Sequence, residues 1–147
     1  TRNGIAAKVF SRLGHLIGET RYLDAAERTL KAAWHAMENA PYGHTALLLA
    51  LEEYLNPVQT ILLRCDAGAL ADWHHRAGEP YAPRRMVYAI PNDAKNLPGS
   101  LAERGPRGKA VAYVCSAMSC SRPIDNLAEL IGFLKQSEAR QAPDPAA

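Results

Sequence analysis

The chain has 147 residues, of which 48% are hydrophobic and 22% are charged, and its formal net charge is +2. This length and composition fit one globular domain or two small ones with an apolar core. The basic residues are scattered, which excludes the clustered positive charge typical of nucleic-acid-binding domains. No apolar run approaches the roughly 18 residues of a membrane-spanning helix. We therefore predict neither a nucleic-acid partner nor a membrane partner.

The cysteines and the first residues bear on the compartment. Three cysteines are an odd number, which argues against the disulfide framework of a small secreted protein. The N-terminus lacks the basic start, apolar stretch and cleavage site of a signal peptide. We therefore predict a cytoplasmic protein. Because the sequence has no initiator methionine and its first residues already follow a helical pattern, we also expect it to be part of a longer protein.

Apolar residues at helical spacing predict three helices in the first part of the chain. The first runs from Ile5 to Ile17, and the second follows Thr20 and ends before Asn39. The third, from about His44 to Leu55, is apolar on nearly all sides, which is typical of a helix enclosed by neighbours. Since two partner helices do not suffice to enclose it, we expect further helices or a second copy to cover it.

After residue 57 the pattern changes to short β-rich runs that alternate with helices. Strands are predicted at Val58–Arg64, Met86–Ile90 and Ala110–Cys115, and helices at Asp66–His75, capped by Asp66, and at Pro123–Gln136. Helical crossovers between strands favour a small three-stranded, mainly parallel sheet. The predicted fold class is thus an α-helical part, residues 1–56, followed by a small α/β domain, residues 57–136. Residues 137–147 lack apolar periodicity and predict a mobile tail.

The segment that ends the third predicted strand carries the most distinctive chemistry. Cys115 ends the strand, a short loop leads to Cys120, and Pro123 opens the last predicted helix. Because a helix N-terminus lowers the pKa of a nearby thiol, Cys115 and Cys120 are candidate redox residues. Their spacing is neither that of a Cys-x-x-Cys redox site nor that of zinc ligands. Three interpretations stay open: packing thiols, a disulfide, which needs Cα atoms within about 7 Å, or a metal pair.

Other titratable residues give no second site. His74 and His75 are adjacent, so on a helix they point about 100° apart and do not readily share one ion. Asp24 and Glu27 lie one helical turn apart among basic residues, which favours solvated salt bridges over acid–base chemistry. Neither a phosphate-binding glycine loop nor a nucleotide fingerprint is present. We predict no metal and no cofactor.

Three stretches resemble the thioredoxin-domain-containing, spermatogenesis-associated protein family, whose bacterial members are called YyaL-type. Residues 3–7 (NGIAA) resemble the family's Ser-Gly-Asn-x-x-Ala helix start. Residues 16–27 (LIGETRYLDAAE) resemble its Thr-Gly-Asp-x-x-Tyr hairpin. Residues 112–123 (AYVCSAMSCSRP) resemble its closing Ala-Tyr-Val-Cys-x-x-x-x-Cys-x-x-Pro segment. The closing segment is the most specific of the three, and together they span most of the chain.

The resemblance implies a parent protein with a thioredoxin-like domain followed by an (α/α)6 toroid similar to glycosidases and sugar epimerases. On this basis residues 1–56 are a remnant of the toroid, and the rest of the parent chain is the expected partner. Asn3 matches a residue that would line the toroid mouth, which makes it a candidate ligand-binding residue. Because the toroid is incomplete here, we also expect self-association through the first and third helices.

These observations predict the C-terminal structural or docking part of a larger thioredoxin-domain-containing protein, with no activity in isolation. The first alternative is a thiol–disulfide role of Cys115 and Cys120, coupled to the parent's thioredoxin-like domain. The second alternative is a part in a sugar-processing toroid, which rests on fold analogy.

Overall fold

A computed structural model of the chain describes residues 2–141 and divides into two compact units. The first unit contains the residues up to Val58 together with Leu97–Glu103 and Ser116–Met118. The second contains Gln59–Asn96, Arg104–Cys115 and the chain from Ser119 onward. Within the described residues, no helix combines the length and the apolarity needed to cross a membrane.

The first unit is helical. Its helices are α1 (Arg2–Ile17), α2 (Thr20–Asn39), α3 (Thr45–Leu55) and the short α5 (Ser100–Glu103), with a 3₁₀ turn at Pro41–His44. Their common core consists of the buried residues Ala7, Leu30, Met37, Leu47 and Ala50. The three long helices lie within a few residues of the positions that the hydrophobic periodicity predicts.

Helices α1 and α3 approach each other closely because Gly4 has no side chain. A Cβ atom at Gly4 would lie 2.5 Å from the backbone carbonyl carbon of Ala46, a distance that no real contact allows. Next to this approach, Lys8 and Arg12 of α1 form ion pairs with Glu53 of α3. Glu53 is only 5% exposed, so the α1–α3 contact combines a tight backbone approach with a buried charge cluster.

The second unit contains a sheet and two long helices. The strands are β1 (Gln59–Cys65), β2 (Arg85–Pro91), β3 (Ala110–Ser116) and β4 (Ser119–Cys120), and the helices are α4 (Leu70–Gly78) and α6 (Leu127–Gln141). The sheet has four strands in the order β2-β1-β3-β4. Three strands were predicted, and the fourth is the short β4, which lacks the length of a recognisable β-pattern.

The strand directions differ from the mainly parallel sheet that the sequence predicts. Strands β1 and β2 are parallel, with Gln59 opposite Arg85 and Cys65 opposite Pro91. Strand β3 is antiparallel to β1. The residue that follows β1, Asp66, donates its N–H to the carbonyl of Lys109, which precedes β3, at 2.8 Å. The end of β1 therefore lies beside the start of β3. The sheet is therefore mixed, and only the β1–α4–β2 segment is a parallel crossover unit.

One face of the sheet is covered by α4 and α6. The core on this face consists of Ile61, Leu63, Cys65, Trp73, Ala77, Ala110, Ala112, Val114, Ile124, Leu130 and Leu134. The alternate residues of β1 and β3, such as Leu62, Val111 and Tyr113, are also buried. Burial on both faces explains why β1 and β3 read as continuous apolar runs instead of alternating ones.

Helices α4 and α6 both begin and end later in the chain than predicted. Helix α4 begins at Leu70, because the Asp66 carboxylate accepts the N–H of Ala69 at 3.0 Å in a turn that precedes the helix. Helix α6 begins at Leu127, with the N–H of Glu129 donated to the side chain of Asn126 at 3.0 Å. It ends at Gln141, so part of the predicted tail is helical, and residues 142–147 lie outside the described residues.

Candidate functional site

The candidate site is the hairpin of β3 and β4, whose strands are joined by Ala117 and Met118. Ala117 has a φ of 52°, in the left-handed region that tight hairpin turns require and that glycine or asparagine usually occupies. The residues of this turn are exposed, and the Met118 side chain is 57% exposed. The sequence does not carry the usual turn residues, which is why this segment was predicted as a loop between a strand and a helix.

Cys115 and Cys120 form a disulfide across this hairpin. The two sulfur atoms are 2.10 Å apart and the Cα atoms 3.9 Å apart, which selects the disulfide among the three interpretations that the spacing left open. The two cysteines differ in access: Cys115 is 4% exposed, whereas Cys120 is exposed. An incoming reagent therefore reaches the bond from the Cys120 side.

Backbone hydrogen bonds hold the two strands together independently of the disulfide. Ser121 donates its N–H to the carbonyl of Val114 at 2.7 Å, and the Ser121 hydroxyl accepts the N–H of Val114 at 3.3 Å. Further along, Ile124 and Ala112 exchange both of their backbone hydrogen bonds, at 2.7 and 2.9 Å. Residues 121–124 are thus an extension of the hairpin. The prediction that Pro123 opens a helix beside Cys120 is wrong for this reason, and so is the predicted activation of Cys120 by that helix.

The charged residues that follow the hairpin are already paired. Arg122 forms an ion pair with Glu129 in the first turn of α6. Arg122 is the basic residue closest to Cys120 in the sequence, and its guanidinium is bound to the Glu129 carboxylate. Cys120 is thus accessible to solvent and partners, and the Glu129 carboxylate competes for the Arg122 guanidinium, the kind of cation that stabilises a reactive thiolate.

Cys65, the remaining cysteine, is a free thiol in the core. Burial raises its pKa, and the nearby charge of Asp66 raises it further, against a smaller lowering by the backbone N–H of Val111. Cys65 belongs to the face of the sheet that α4 and α6 cover, whereas Cys115 occupies an alternate position of β3 and points to the other face. The sheet therefore separates Cys65 from the disulfide, and the core thiol is not a resolving cysteine.

The other predicted site residues are not assembled into a second centre. Asn3 is exposed in the first turn of α1, and His74 and His75 are exposed on α4. Glu27 forms an ion pair with Lys31 at 2.7 Å. Across residues 2–141, no group of three or more histidine, cysteine, aspartate or glutamate side chains could hold a metal ion.

Two charged residues that the sequence analysis does not predict to be buried lie in the interior. Glu53 follows Leu47 and Ala50 at helical spacing, and this periodicity places it on the buried face of α3. Arg64 is 3% exposed in β1 and donates to the carbonyls of Arg104, Pro91 and Asn92 at 3.2 to 3.4 Å. The signal was available in both cases, because each charge interrupts an otherwise apolar run at a position that faces a core.

Comparison of the chain with known proteins gives no match among protein-family models, curated proteins or solved structures.

Proposed function

We propose that the Cys115–Cys120 disulfide takes part in reversible thiol–disulfide exchange with a dithiol partner, as the redox element of a C-terminal module in a larger protein. The observation that supports this proposal is the disulfide itself, which sits on an exposed hairpin with Cys120 accessible and Cys115 buried. The resemblance noted in the sequence suggests a thioredoxin-like dithiol as the partner.

The exchange proceeds in two steps that balance. A thiolate of the partner attacks the sulfur of Cys120, the Cys115–Cys120 bond breaks, and Cys115 leaves with the electron pair and takes up a proton. The second thiol of the partner, as its thiolate, then attacks the mixed disulfide and releases Cys120 as a thiolate, which is protonated. The chain gains two electrons and two protons, and the partner dithiol becomes a disulfide.

The burial of Cys115 affects how fast the disulfide is reduced and by which kind of thiol. Because a thiolate is poorly stabilised in a buried environment, Cys115 is a slow leaving group. Attack by a free small thiol is therefore expected to be slow. A partner that docks on the exposed turn and loosens the hairpin would expose Cys115 and accelerate the exchange.

The first test is intact mass spectrometry after denaturation and alkylation, with and without reductant. We expect one alkylated thiol, Cys65, in the untreated chain and three after reduction. The rate of reduction is then followed for glutathione and for a thioredoxin-type dithiol protein at equal thiolate concentration. Reduction by the dithiol protein at least about tenfold faster supports exchange, whereas equal slow rates for both reagents indicate a structural crosslink.

Matched variants assign the roles of the two sulfurs. In a Cys65→Ser background, Cys115→Ser leaves the accessible Cys120 as a free thiol. Its thiolate should attack a single-cysteine partner whose sulfur carries a thionitrobenzoate group, release thionitrobenzoate as the leaving thiolate, and form a mixed disulfide that can be isolated. Cys120→Ser leaves the buried Cys115 and should not form this mixed disulfide. Trapping by the two variants in equal amounts contradicts attack at Cys120.

A second candidate function, docking, is favoured by exposed apolar side chains in the helical unit. Ile5 and Val9 of α1 are 64% and 52% exposed, and Leu49 of α3 is 60% exposed. Since α1 and α3 pack side by side, these residues enlarge the apolar surface of the unit. We propose that this surface binds helices of the parent protein and, in their absence, a second copy of the chain.

Light scattering over a concentration series tests the docking proposal. We expect association of the native chain, and at least about a tenfold weaker association for a Val9→Glu variant, because the charge would be desolvated in the interface. A Glu substitution of exposed Tyr81, which belongs to the other unit, is the matched control. A chain that is monomeric throughout the series contradicts self-association. The sugar-processing alternative stays a prediction from the resemblance.

A further inference from the structure

The helical unit contains a groove that is separate from the disulfide. It has a volume of about 600 Å³, and its lining includes Asn3, Arg28, His44 and the α2 alanines Ala25, Ala32 and Ala36. The volume lies within the range of about 300–1,000 Å³ that is usual for small-molecule sites. The groove arises because α2 presents alanines on one face, whose short side chains leave space between α2 and the first turns of α1 and α3.

The described residues that line the groove include a cation, Arg28, and no carboxylate. Asn3 adds amide N–H donors beside the alanines of the floor. A groove with an apolar floor, a guanidinium and further donors is complementary to a small anion that also carries an apolar body.

Arg28 differs from the other basic residues on its helix. Arg21 forms an ion pair with Glu19 and Lys31 forms one with Glu27. Within residues 2–141, neither an ion pair nor a hydrogen bond of Arg28 is found, although Asp24 lies one helical turn before it. Its guanidinium is thus free to receive a ligand.

His44 provides a second observation. Its Nδ1 atom is buried and has no hydrogen-bond partner among the described residues. A buried polar atom without a partner is unfavourable by the cost of its desolvation. Because Nδ1 has almost no accessible surface, a ligand oxygen reaches it only after the ring turns towards the groove, where the imidazole N–H would donate a hydrogen bond to that oxygen and remove the cost.

From this geometry we propose that the groove is a binding site for a small organic carboxylate, with the carboxylate held by Arg28, hydrogen-bonded by His44 and Asn3, and its apolar part on the alanine floor. The guanidinium offers two parallel N–H donors that match a carboxylate. The site does not depend on the disulfide, so the two proposals can fail separately.

Benzoate is the probe for this site, since it joins a carboxylate to a flat apolar ring. We expect saturable amide shifts in a ¹⁵N NMR titration of the full chain, concentrated in α2 and at His44 and Leu47. Benzamide has nearly the same shape without the charge, and we expect its binding to be at least about tenfold weaker, as for the loss of one charge-assisted pair.

The variant Arg28→Gln should weaken benzoate binding at least about tenfold while leaving benzamide binding unchanged. Glutamine has nearly the same helix propensity as arginine, so the fold is retained, and circular dichroism checks this. Arg21→Gln, on the same helix but outside the groove, is the control and should bind benzoate as the native chain does. Equal binding of benzoate and benzamide, an unchanged affinity in Arg28→Gln, or the absence of saturable shifts would each overturn the proposal.

Discussion

The two units of the chain differ in how far they cover their own apolar residues. In the sheet unit the large apolar residues of β1, Ile61, Leu62 and Leu63, are completely or almost completely buried. In the helical unit, Ile5 and Leu49 remain exposed. Both units bury a charged residue, Glu53 in the helical unit and Arg64 in the sheet unit. The comparison shows that strand β1 of the sheet unit buries its apolar run within this chain, whereas the helical unit carries apolar side chains that its own helices do not cover.

The difference arises because strands in a sheet and helices in a small group are covered differently by their neighbours. A strand of a central sheet is covered on both faces by neighbouring elements, so an uninterrupted apolar run finds contacts on either side. A helix in a group of three has an outer face, and an apolar residue on that face is buried only if a further helix packs against it. The apolar residues of α3 therefore exceed what α1 and α2 cover, as the sequence predicts.

The largest expected effect comes from Leu63→Ala in the sheet unit. Leu63 is 0% exposed, and deletion of a fully buried leucine side chain lowers the free energy of unfolding by about 2–5 kcal/mol. The measurement is urea unfolding, followed by a probe in the sheet unit such as the fluorescence of Trp73.

Leu55→Ala in the helical unit is the matched control for this prediction. Leu55 is 65% exposed, and we expect a change within about 0.5 kcal/mol. A loss at Leu55 as large as that at Leu63 would contradict the difference between the units.

An intermediate effect is expected from Glu53→Gln in the helical unit. The substitution leaves Lys8 and Arg12 without their shared carboxylate, and the two cations are partly exposed, which reduces the cost. We expect a decrease of about 1–3 kcal/mol in the free energy of unfolding. Glu52→Gln, on the exposed side of α3, is the control, and an equal effect of the two substitutions would show that the buried charge cluster contributes nothing.

The pH dependence of the helical unit follows from the same cluster. Burial raises the pKa of Glu53, but hydrogen bonding to Arg12 and the charges of Arg12 and Lys8 outweigh this effect, so the pKa lies below its ordinary value. A carboxylate with a lowered folded-state pKa stabilises the protein above its unfolded-state pKa, and this contribution is lost as the pH falls through the folded-state pKa.

The native chain should therefore lose more stability than Glu53→Gln between neutral pH and acidic pH below the ordinary glutamate value. Thermal melts of both proteins over this range, followed by the helical signal, test the sign. Parallel pH profiles would show that Glu53 makes no such contribution.

The smallest expected effect on stability comes from removing a charge on the outer face of α2. Lys31→Gln deletes the exposed ion pair with Glu27, and pairs of this kind contribute little because water screens them. We expect no resolvable shift of the melting temperature at physiological salt, and a clear shift would mean that exposed charges stabilise this unit more than the comparison indicates.

The candidate site was predictable in part. The spacing of Cys115 and Cys120 allowed a disulfide, and the β-pattern of residues 110–115 placed Cys115 at a strand end. The direction of β3 was not predictable, because it depends on which neighbour the strand pairs with, and neither Asp66 nor Lys109 marks that pairing in the sequence. The hairpin turn was missed because Ala117 and Met118 are unusual turn residues, and α6 was placed too early because Pro123 is a common helix start.

The sequence by itself determined the secondary structure of the long elements, the change from helices to an α/β pattern near residue 57, and the apolar excess of α3. These properties depend on residues close together in the chain, and hydrophobic periodicity reports them directly. Only the tertiary structure decided the mixed strand directions of the sheet and the unequal access to the two sulfurs of the disulfide. These depend on which distant segments meet, since pairing partners and burial arise from contacts between residues that the local pattern does not connect.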